Sequence, residues 1–147
     1  MTADAVAADA VRDLLIELSE AFATHDVDRL MSQFSSRADV MYAGSEDGEQ
    51  AVGPGPLRAL GIAVLARPQT YSFEFRVRQV VVVGESLAVL ADGIGTQTDP
   101  VTPYPESARW EPDVIETFRY RVVGTLVLED SRWVWLVLSG SEPTPAL

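Results

Sequence analysis

The sequence predicts an α+β fold in which three helices pack on an antiparallel sheet. Apolar residues recur at three- and four-residue steps over residues 4–24, as in an amphipathic helix. From residue 70 onwards the pattern changes to long runs with strand alternation. Helices that precede a sheet, instead of alternating with its strands, favour α+β over a doubly wound parallel fold. Gly53-Pro54-Gly55 is a turn and not a nucleotide loop, because proline lacks the backbone N–H that a phosphate needs.

The first two helices meet at a short polar junction. The helix over 4–24 ends near His25, and Asp26 is suited to cap the helix that follows. The apolar side of this second helix consists of Val27, Leu30, Met31 and Phe34. The pair Ser35-Ser36 ends it.

A short strand and a third helix come next. Residues 38–43 predict a strand, and residues 44–50 predict an acidic, solvated loop in which Asp47-Gly48 forms a turn. Pro56 is predicted to open the third helix, which runs to about Ala66 and is followed by Pro68. The rest predicts a four-stranded meander with a long proline-rich loop at 98–113; its strands are 70–83, 87–97, 114–128 and 132–140.

Composition excludes several classes of function. The 147 residues suit a single domain, 1–147, and contain neither cysteine nor lysine. Disulfides, zinc–thiolate centres, thiol nucleophiles, Schiff-base lysines and a P-loop lysine are therefore excluded. A net charge of −11 disfavours nucleic acid and anionic membranes as partners. The acidic N-terminus and the lack of a long apolar run predict a soluble, cytoplasmic protein, and the absence of lysine and asparagine, which share A-rich codons, indicates a GC-rich bacterial genome.

Several local motifs resemble one family. They are His25-Asp26-x-Asp28-x-Leu30-x-x-x-Phe34, Ala38-Asp39-Val40, Val52-Gly53-Pro54, Arg132-Trp133-Val134-Trp135 and the ending Ser139-Gly140-Ser141-Glu142-Pro143. With the order of elements, the chain resembles the SnoaL-like members of the nuclear transport factor 2-like superfamily over nearly its whole length. The resemblance implies a cone-shaped α+β fold, in which a strongly curved sheet wraps against three helices and leaves a pocket.

The resemblance implies a fold more directly than an activity, since this fold hosts unrelated functions. Relatives include steroid isomerases, polyketide cyclases, epoxide hydrolases, dehydratases and modules that only bind or dimerise. We expect a pocket for a hydrophobic or aromatic small molecule and, in an enzyme, isomerase, cyclase or hydrolase chemistry with no cofactor. The alternative is a non-catalytic ligand-binding or dimerisation module. Relatives often carry a histidine where this chain has Ser139, which argues against histidine-dependent chemistry.

Two carboxylates interrupt apolar strand faces and are the candidate acid and base. Glu116 shares its face with Phe118, Tyr120 and Val122, and Asp92 shares its own with Leu90 and Ile94. A desolvated carboxyl has a raised pKa, which suits proton transfer. The alternative for each is an ion pair with arginine, such as Arg119 or Arg76 for Asp92.

Aromatic residues are the candidate binding groups. Tyr42, on the face of Val40, or Tyr120 could donate a hydrogen bond to a developing oxyanion, or be an ordinary half-buried strand residue. Phe118 shares the face of Tyr120, and Tyr104 and Trp110 lie in the long loop, where they either line the pocket mouth or belong to a stiff surface loop.

The only histidine, His25, lies beside two acids, Asp26 and Asp28. Helix capping accounts for the acids, so we expect no metal site and no Ser-His-Asp triad. The last strand has apolar residues on both faces, namely Trp133, Trp135 and Val137 on one and Val134, Leu136 and Leu138 on the other. Helices cover one side of the sheet, so a second copy is the simplest cover for the other, and we predict a homodimer.

Overall fold

A computed structural model of the chain describes residues 3–100 and 114–144, and its elements follow the predicted order with one addition. The helices are α1 (Ala3–Ala23), α2 (Val27–Met31) and α3 (Pro54–Leu65). The strands are β1 (Met41–Ala43), β2 (Gln50–Val52), β3 (Thr70–Val83), β4 (Ser86–Asp99), β5 (Val114–Glu129) and β6 (Arg132–Ser141). The addition is β2, which is too short to show alternation in the sequence.

The strands form one sheet in the order β2-β1-β6-β5-β4-β3. Neighbouring strands are antiparallel except for β1 and β6, which are parallel. The sheet is therefore mixed, whereas the sequence predicts a wholly antiparallel one. Its edge strands β2 and β3 do not pair, so it does not close into a barrel. The predicted α+β class is confirmed.

Local signals in the sequence explain how the helices and turns begin. Asp26 caps α2, since its Oδ1 accepts the backbone N–H of Arg29 at 3.0 Å. The turn Asp47-Gly48 joins β1 to β2, with Gly48 at φ +84°. The third helix starts at Pro54, not at Pro56, because both prolines fit a first turn whose N–H groups have no partner inside the helix.

The core lies between the helices and one face of the sheet, which we call the inner face. One stripe of α1, built from Val11, Leu15 and Leu18, is buried against the sheet. The largest fully buried side chain is Trp135 on β6. Burying each such leucine contributes roughly 1.5–3 kcal/mol, so this layer holds α1 in place above the sheet.

A register shift in β6 alters the alternation expected there. The pairing with β5 shifts between Thr125 and Leu126, which places both Trp135 and Leu138 in the core although their numbers differ in parity. Val137 pairs with Thr125 and is only partly buried. Within 3–100 and 114–144, no helix is long and apolar enough to cross a membrane.

Candidate functional site

A cavity of about 110 Å³ opens at one end of the inner face, between α1, α3 and the strands β3–β6. It is of the same order as the roughly 150 Å³ apolar cavity that holds one benzene ring. Its deep wall is buried, whereas Ser45 and Glu46 at its mouth are exposed. The cavity is lined by Leu18, Phe22, Tyr42, Ser45, Glu46, Glu49, Val64, Arg67, Tyr71, Phe73, Phe75, Gln97, Phe118, Tyr120, Val122, Leu138, Gly140 and Glu142.

Aromatic rings form the sheet side of this cavity. The ring centroid of Phe73 lies 5.0 Å from that of Tyr120, 5.4 Å from that of Phe75 and 6.1 Å from that of Phe118. Glycines in the neighbouring strands make room for these rings: a Cβ at Gly95 would collide with the Phe118 ring, and a Cβ at Gly140 with the Tyr120 hydroxyl. The strands therefore present an aromatic wall, in which Phe73 stacks on Phe75 and meets Phe118 edge-on.

Two phenols meet inside the cavity. Burial raises the pKa of Tyr42 well above its ordinary value, with further contributions from Tyr120 and Glu49. Burial likewise raises the pKa of Tyr120 to about 12. The interaction between the two hydroxyls raises the pKa of Tyr42 and lowers that of Tyr120. Both phenols are protonated at neutral pH, so either one can donate a hydrogen bond to a ligand.

Two carboxyls and a guanidinium line the mouth. Arg67 donates to Glu46 at 2.9 and 3.2 Å, and its Nη1 lies 3.6 Å from Glu49 Oε1. The hydrogen bond with Arg67 lowers the pKa of Glu46. Burial raises the pKa of Glu49, whose side chain is 13% exposed, and the charge of Glu46 raises it further. Arg67 opposes this rise without cancelling it.

The hairpin β1–β2 folds Glu49 over the cavity. The N–H of Gly44 donates to the carbonyl of Glu49 at 2.7 Å, and the N–H of Glu49 donates to the carbonyl of Glu46 at 3.1 Å. A side chain at Gly44 would occupy the space of the Glu49 carboxylate. Residues 44–50, which the sequence predicts to be a solvated loop, therefore form part of the mouth of the cavity.

Of the residues singled out in the sequence, Tyr42, Phe118 and Tyr120 line the cavity. Glu116 lies on the same sheet face, opposite Gln97, but it is exposed beyond the cavity. Asp92 lies opposite Arg121, on the face that points away from the cavity, which we call the outer face. The sequence analysis expected Asp92 and Glu116 to come together in the pocket. The strand register contradicts this, because it places the two side chains on opposite faces of the sheet. Tyr104 and Trp110 lie outside the described residues.

Asp92 makes the ion pair that the sequence analysis left as its alternative, although with another arginine. Its Oδ2 accepts from Arg78 Nε at 2.6 Å, and its Oδ1 lies 3.8 Å from Arg121 Nε. The hydrogen bond with Arg78 lowers the pKa of Asp92. A lowered pKa is the opposite of the rise expected for a desolvated acid.

Sequence reasoning missed Glu49, Glu46 and Arg67. The first two belong to a hairpin turn whose second strand has only three residues, and Arg67 lies just after α3. The available signal was the position of the acidic turn directly after Tyr42. Among the residues that the structure describes, no three histidine, aspartate or glutamate side chains are grouped so as to hold a metal ion.

The comparisons with known proteins agree with this architecture. The SnoaL-like domain matches residues 11–145. The chain belongs to the SnoaL-like family. This match confirms the family resemblance noted in the sequence, and solved members of the nuclear transport factor 2-like superfamily share the fold. No curated protein matches the chain in sequence.

Three solved structures illustrate the likeness. A protein from Streptomyces avermitilis, provisionally assigned as a dehydratase, is similar with a TM-score of 0.79 and 15% identity over 96% of this chain and 99% of the other. A nuclear transport factor 2-like superfamily protein from Salmonella enterica serovar Typhimurium has a TM-score of 0.73 and 10% identity, over 97% of this chain and 95% of the other. A hexachlorocyclohexane dehydrochlorinase has a TM-score of 0.70 and 16% identity, over 96% of this chain and 88% of the other. At these identities the likeness establishes the fold, and no particular activity.

Proposed function

We propose that this protein binds a hydrophobic or aromatic small molecule in the cavity and catalyses a cofactor-independent proton transfer, with Glu49 as the acid–base group. The observation that carries the proposal is the Glu49 carboxyl, which is 13% exposed, has a raised pKa and lines the same cavity as the aromatic rings and the hydroxyls of Tyr42 and Tyr120. A carboxyl whose pKa is raised towards neutral pH is suited to give and take protons there. This proposal moves the acid–base role from Asp92 and Glu116 to Glu49.

The charges at the mouth favour a neutral or cationic ligand. Glu46, Glu49 and Glu142 line the cavity, and Arg67 already pairs with the first two. A ligand carboxylate or phosphate would have to displace Glu46 from Arg67. The reacting part of the ligand is about the size of one ring, and larger ligands extend through the mouth.

The chemistry assigns one role to each polar group. The Glu49 carboxylate removes a proton from a ligand carbon, and the electron pair moves towards a ligand oxygen that accepts a hydrogen bond from Tyr120. Tyr42 lies beside Tyr120 and interacts with its hydroxyl. Glu49 then returns the proton to another carbon, which is an isomerisation, or to a departing oxygen, which is an elimination.

Neighbours of the same fold support reactions of this type. They include a provisionally assigned scytalone dehydratase from Novosphingobium aromaticivorans and the hexachlorocyclohexane dehydrochlorinase. The name of each describes an elimination, of water in the first and of hydrogen chloride in the second. The support is limited to reaction class, and we propose no substrate from these names.

A non-catalytic ligand-binding module is the second candidate. The observation that favours it is the tight aromatic cluster, with ring centroids 5.0–6.1 Å apart, beside a cavity of only about 110 Å³. Such a protein would bind its ligand without changing it. Replacing Glu49 would then alter affinity alone.

A thermal-shift screen followed by turnover assays tests the proposal. At pH 7 the panel consists of ketosteroids, aromatic polyketides, terpenoid epoxides and phenols, each with an anionic analogue. A ligand at about 100 times its Kd adds roughly 2.7 kcal/mol and raises Tm by roughly 5–10 °C. We expect neutral compounds to bind and to be turned over by the wild type and by Glu85→Gln, in the exposed β3–β4 turn, but not turned over by Glu49→Gln. Binding without turnover in the wild type would instead establish the second candidate.

We also propose a homodimer formed through the outer face. Large apolar side chains are exposed there, with Leu90 at 37%, Ile94 at 50% and Val123 at 49%. A second copy would remove them from water. Sedimentation should give a dimer at micromolar concentration and a monomer for Val123→Glu. A monomeric wild type would overturn this proposal.

A further inference from the structure

His25 connects three elements of the fold. It follows α1 in a left-handed conformation, φ +54°. Its Nδ1 lies 2.8 Å from the carbonyl oxygen of Leu65 and its Nε2 lies 2.9 Å from Thr70 Oγ1. A carbonyl only accepts hydrogen bonds, so Nδ1 carries a hydrogen and donates to Leu65. In the neutral ring, Nε2 then accepts from the Thr70 hydroxyl.

The two residues that His25 contacts lie at the two ends of the segment that carries Arg67. Leu65 is the last residue of α3 and Thr70 the first of β3. Arg67 lies between them, and its guanidinium reaches Glu46 at 2.9 Å and Glu49 at 3.6 Å. Each end of this short connection is therefore fixed by one ring nitrogen of a single side chain.

The position of Arg67 decides how Glu46 and Glu49 share charge. Two carboxyls that interact this closely titrate as a pair, and a guanidinium beside them favours their ionised forms. If Arg67 moved outwards, the pair would hold its protons to higher pH. The charged and titratable groups that influence Glu49 from the surrounding elements are Glu46, Arg67, Tyr42, Tyr120 and Glu142.

We propose that His25 is a positioning residue, which holds the 65–70 connection so that Arg67 stays on the Glu46–Glu49 pair at the mouth of the cavity. The inference rests on the proposed function for its catalytic meaning. His25 does not line the cavity, so its effect on the site passes through Arg67.

Titration of the glutamate side chains tests this inference without a ligand. The 147-residue chain, carbon-13-labelled at its glutamate carboxyls, is followed by NMR, and Glu46→Gln and Glu49→Gln assign the two signals. His25→Asn suits the left-handed backbone and loses the reach to Thr70, and Thr70→Val removes only the hydroxyl partner. We expect both variants, like Arg67→Gln, to move the titration of the pair to higher pH by roughly half a pH unit or more.

A double-mutant cycle separates positioning from a general structural effect. In the Arg67→Gln background, Thr70→Val and His25→Asn should leave the titration of the pair unchanged, with amide spectra that show a folded chain. An unchanged titration in the single variants, or an equal shift in the Arg67→Gln background, would overturn the inference. This readout needs no turnover, so its failure is distinguishable from failure of the proposed function.

Discussion

Two carboxylate–arginine clusters lie on opposite faces of the same sheet and behave in opposite ways. On the inner face, Glu49 has a raised pKa although Arg67 is 3.6 Å away. On the outer face, Asp92 has a lowered pKa beside Arg78 and Arg121. The Glu49 side chain is 13% exposed and has a second carboxyl beside it, whereas Asp92 is 39% exposed and has only cationic neighbours among the charges that act on it. Burial and a like-charged neighbour, not the mere presence or absence of an arginine, account for the difference between the raised pKa of Glu49 and the lowered pKa of Asp92.

The largest effect that we expect from the difference between the two clusters is on catalysis. We expect Glu49→Gln to lower kcat by about 10²-fold or more on a compound turned over by the wild type, since general acid–base groups contribute roughly 10²–10⁴-fold. The base role also predicts that turnover rises with pH through the raised pKa of Glu49. Steady-state kinetics over a pH series measures both. Glu85→Gln is the control, and equal loss in that variant would show that the effect is not specific to the cavity.

A second prediction concerns Gly140, whose backbone lies against the Tyr120 hydroxyl. Gly140→Ala places a methyl group where the Tyr120 hydroxyl lies, so we expect a loss of about 1–3 kcal/mol in the free energy of unfolding and weaker ligand binding. Gly55→Ala is the matched control, because a Cβ there meets nothing within 4 Å and the residue is in the first turn of α3. Chemical denaturation compares the two variants. Equal stability for both would contradict the close approach at Gly140.

The smallest effects concern stability as a function of pH, and their signs differ between the clusters. Glu49 holds its proton more tightly in the folded state than its ordinary pKa of 4.5 implies. Its contribution to the free energy of unfolding is therefore full below pH 4.5 and is lost as the pH rises through the raised pKa. Glu49→Gln should therefore raise Tm at pH 7 and leave it unchanged in acid.

Asp92 should show the reverse dependence. Its ionised form is favoured on folding, so its contribution is present above the ordinary value of 3.8 and is lost as pH falls through the lowered one. In the Val123→Glu background, where the outer face is not covered by a second copy, we expect Asp92→Asn to lower Tm slightly at pH 7, because the pair with Arg78 is half exposed and screened in the single chain. Scanning calorimetry over a pH series checks both variants, and shifts of the same sign would refute the contrast.

The sequence predicted the aromatic side of the cavity better than the carboxyl that we propose as its acid–base group. Alternation in β5 correctly grouped Phe118 with Tyr120, and Tyr42 followed from its strand. Alternation tells which residues share a face, but it does not tell which face is inside. In β4 the inner positions include two glycines, Gly93 and Gly95, which give no apolar signal in the sequence. The outer face, which holds Asp92 and Ile94, therefore looks like the apolar face of the strand.

Two further features were beyond sequence reasoning for physical reasons. Glu49 reaches the cavity through a hairpin whose second strand is three residues long, and its environment depends on Arg67 from a distant segment. The shift in register at Leu126 breaks the two-residue period of β6, and side-chain volume at Trp135 and Gly124 decides the packing there. Local pattern carries neither kind of information.

Carbon-13 titration of the side-chain carboxyls of Glu49 and Asp92 in the wild-type protein tests the contrast between the two clusters most directly. We expect a Glu49 midpoint above 4.5 and an Asp92 midpoint below 3.8. A Glu49 midpoint at or below 4.5 would contradict it, because the cavity would then hold an ordinary ionised carboxylate and no group poised for proton transfer.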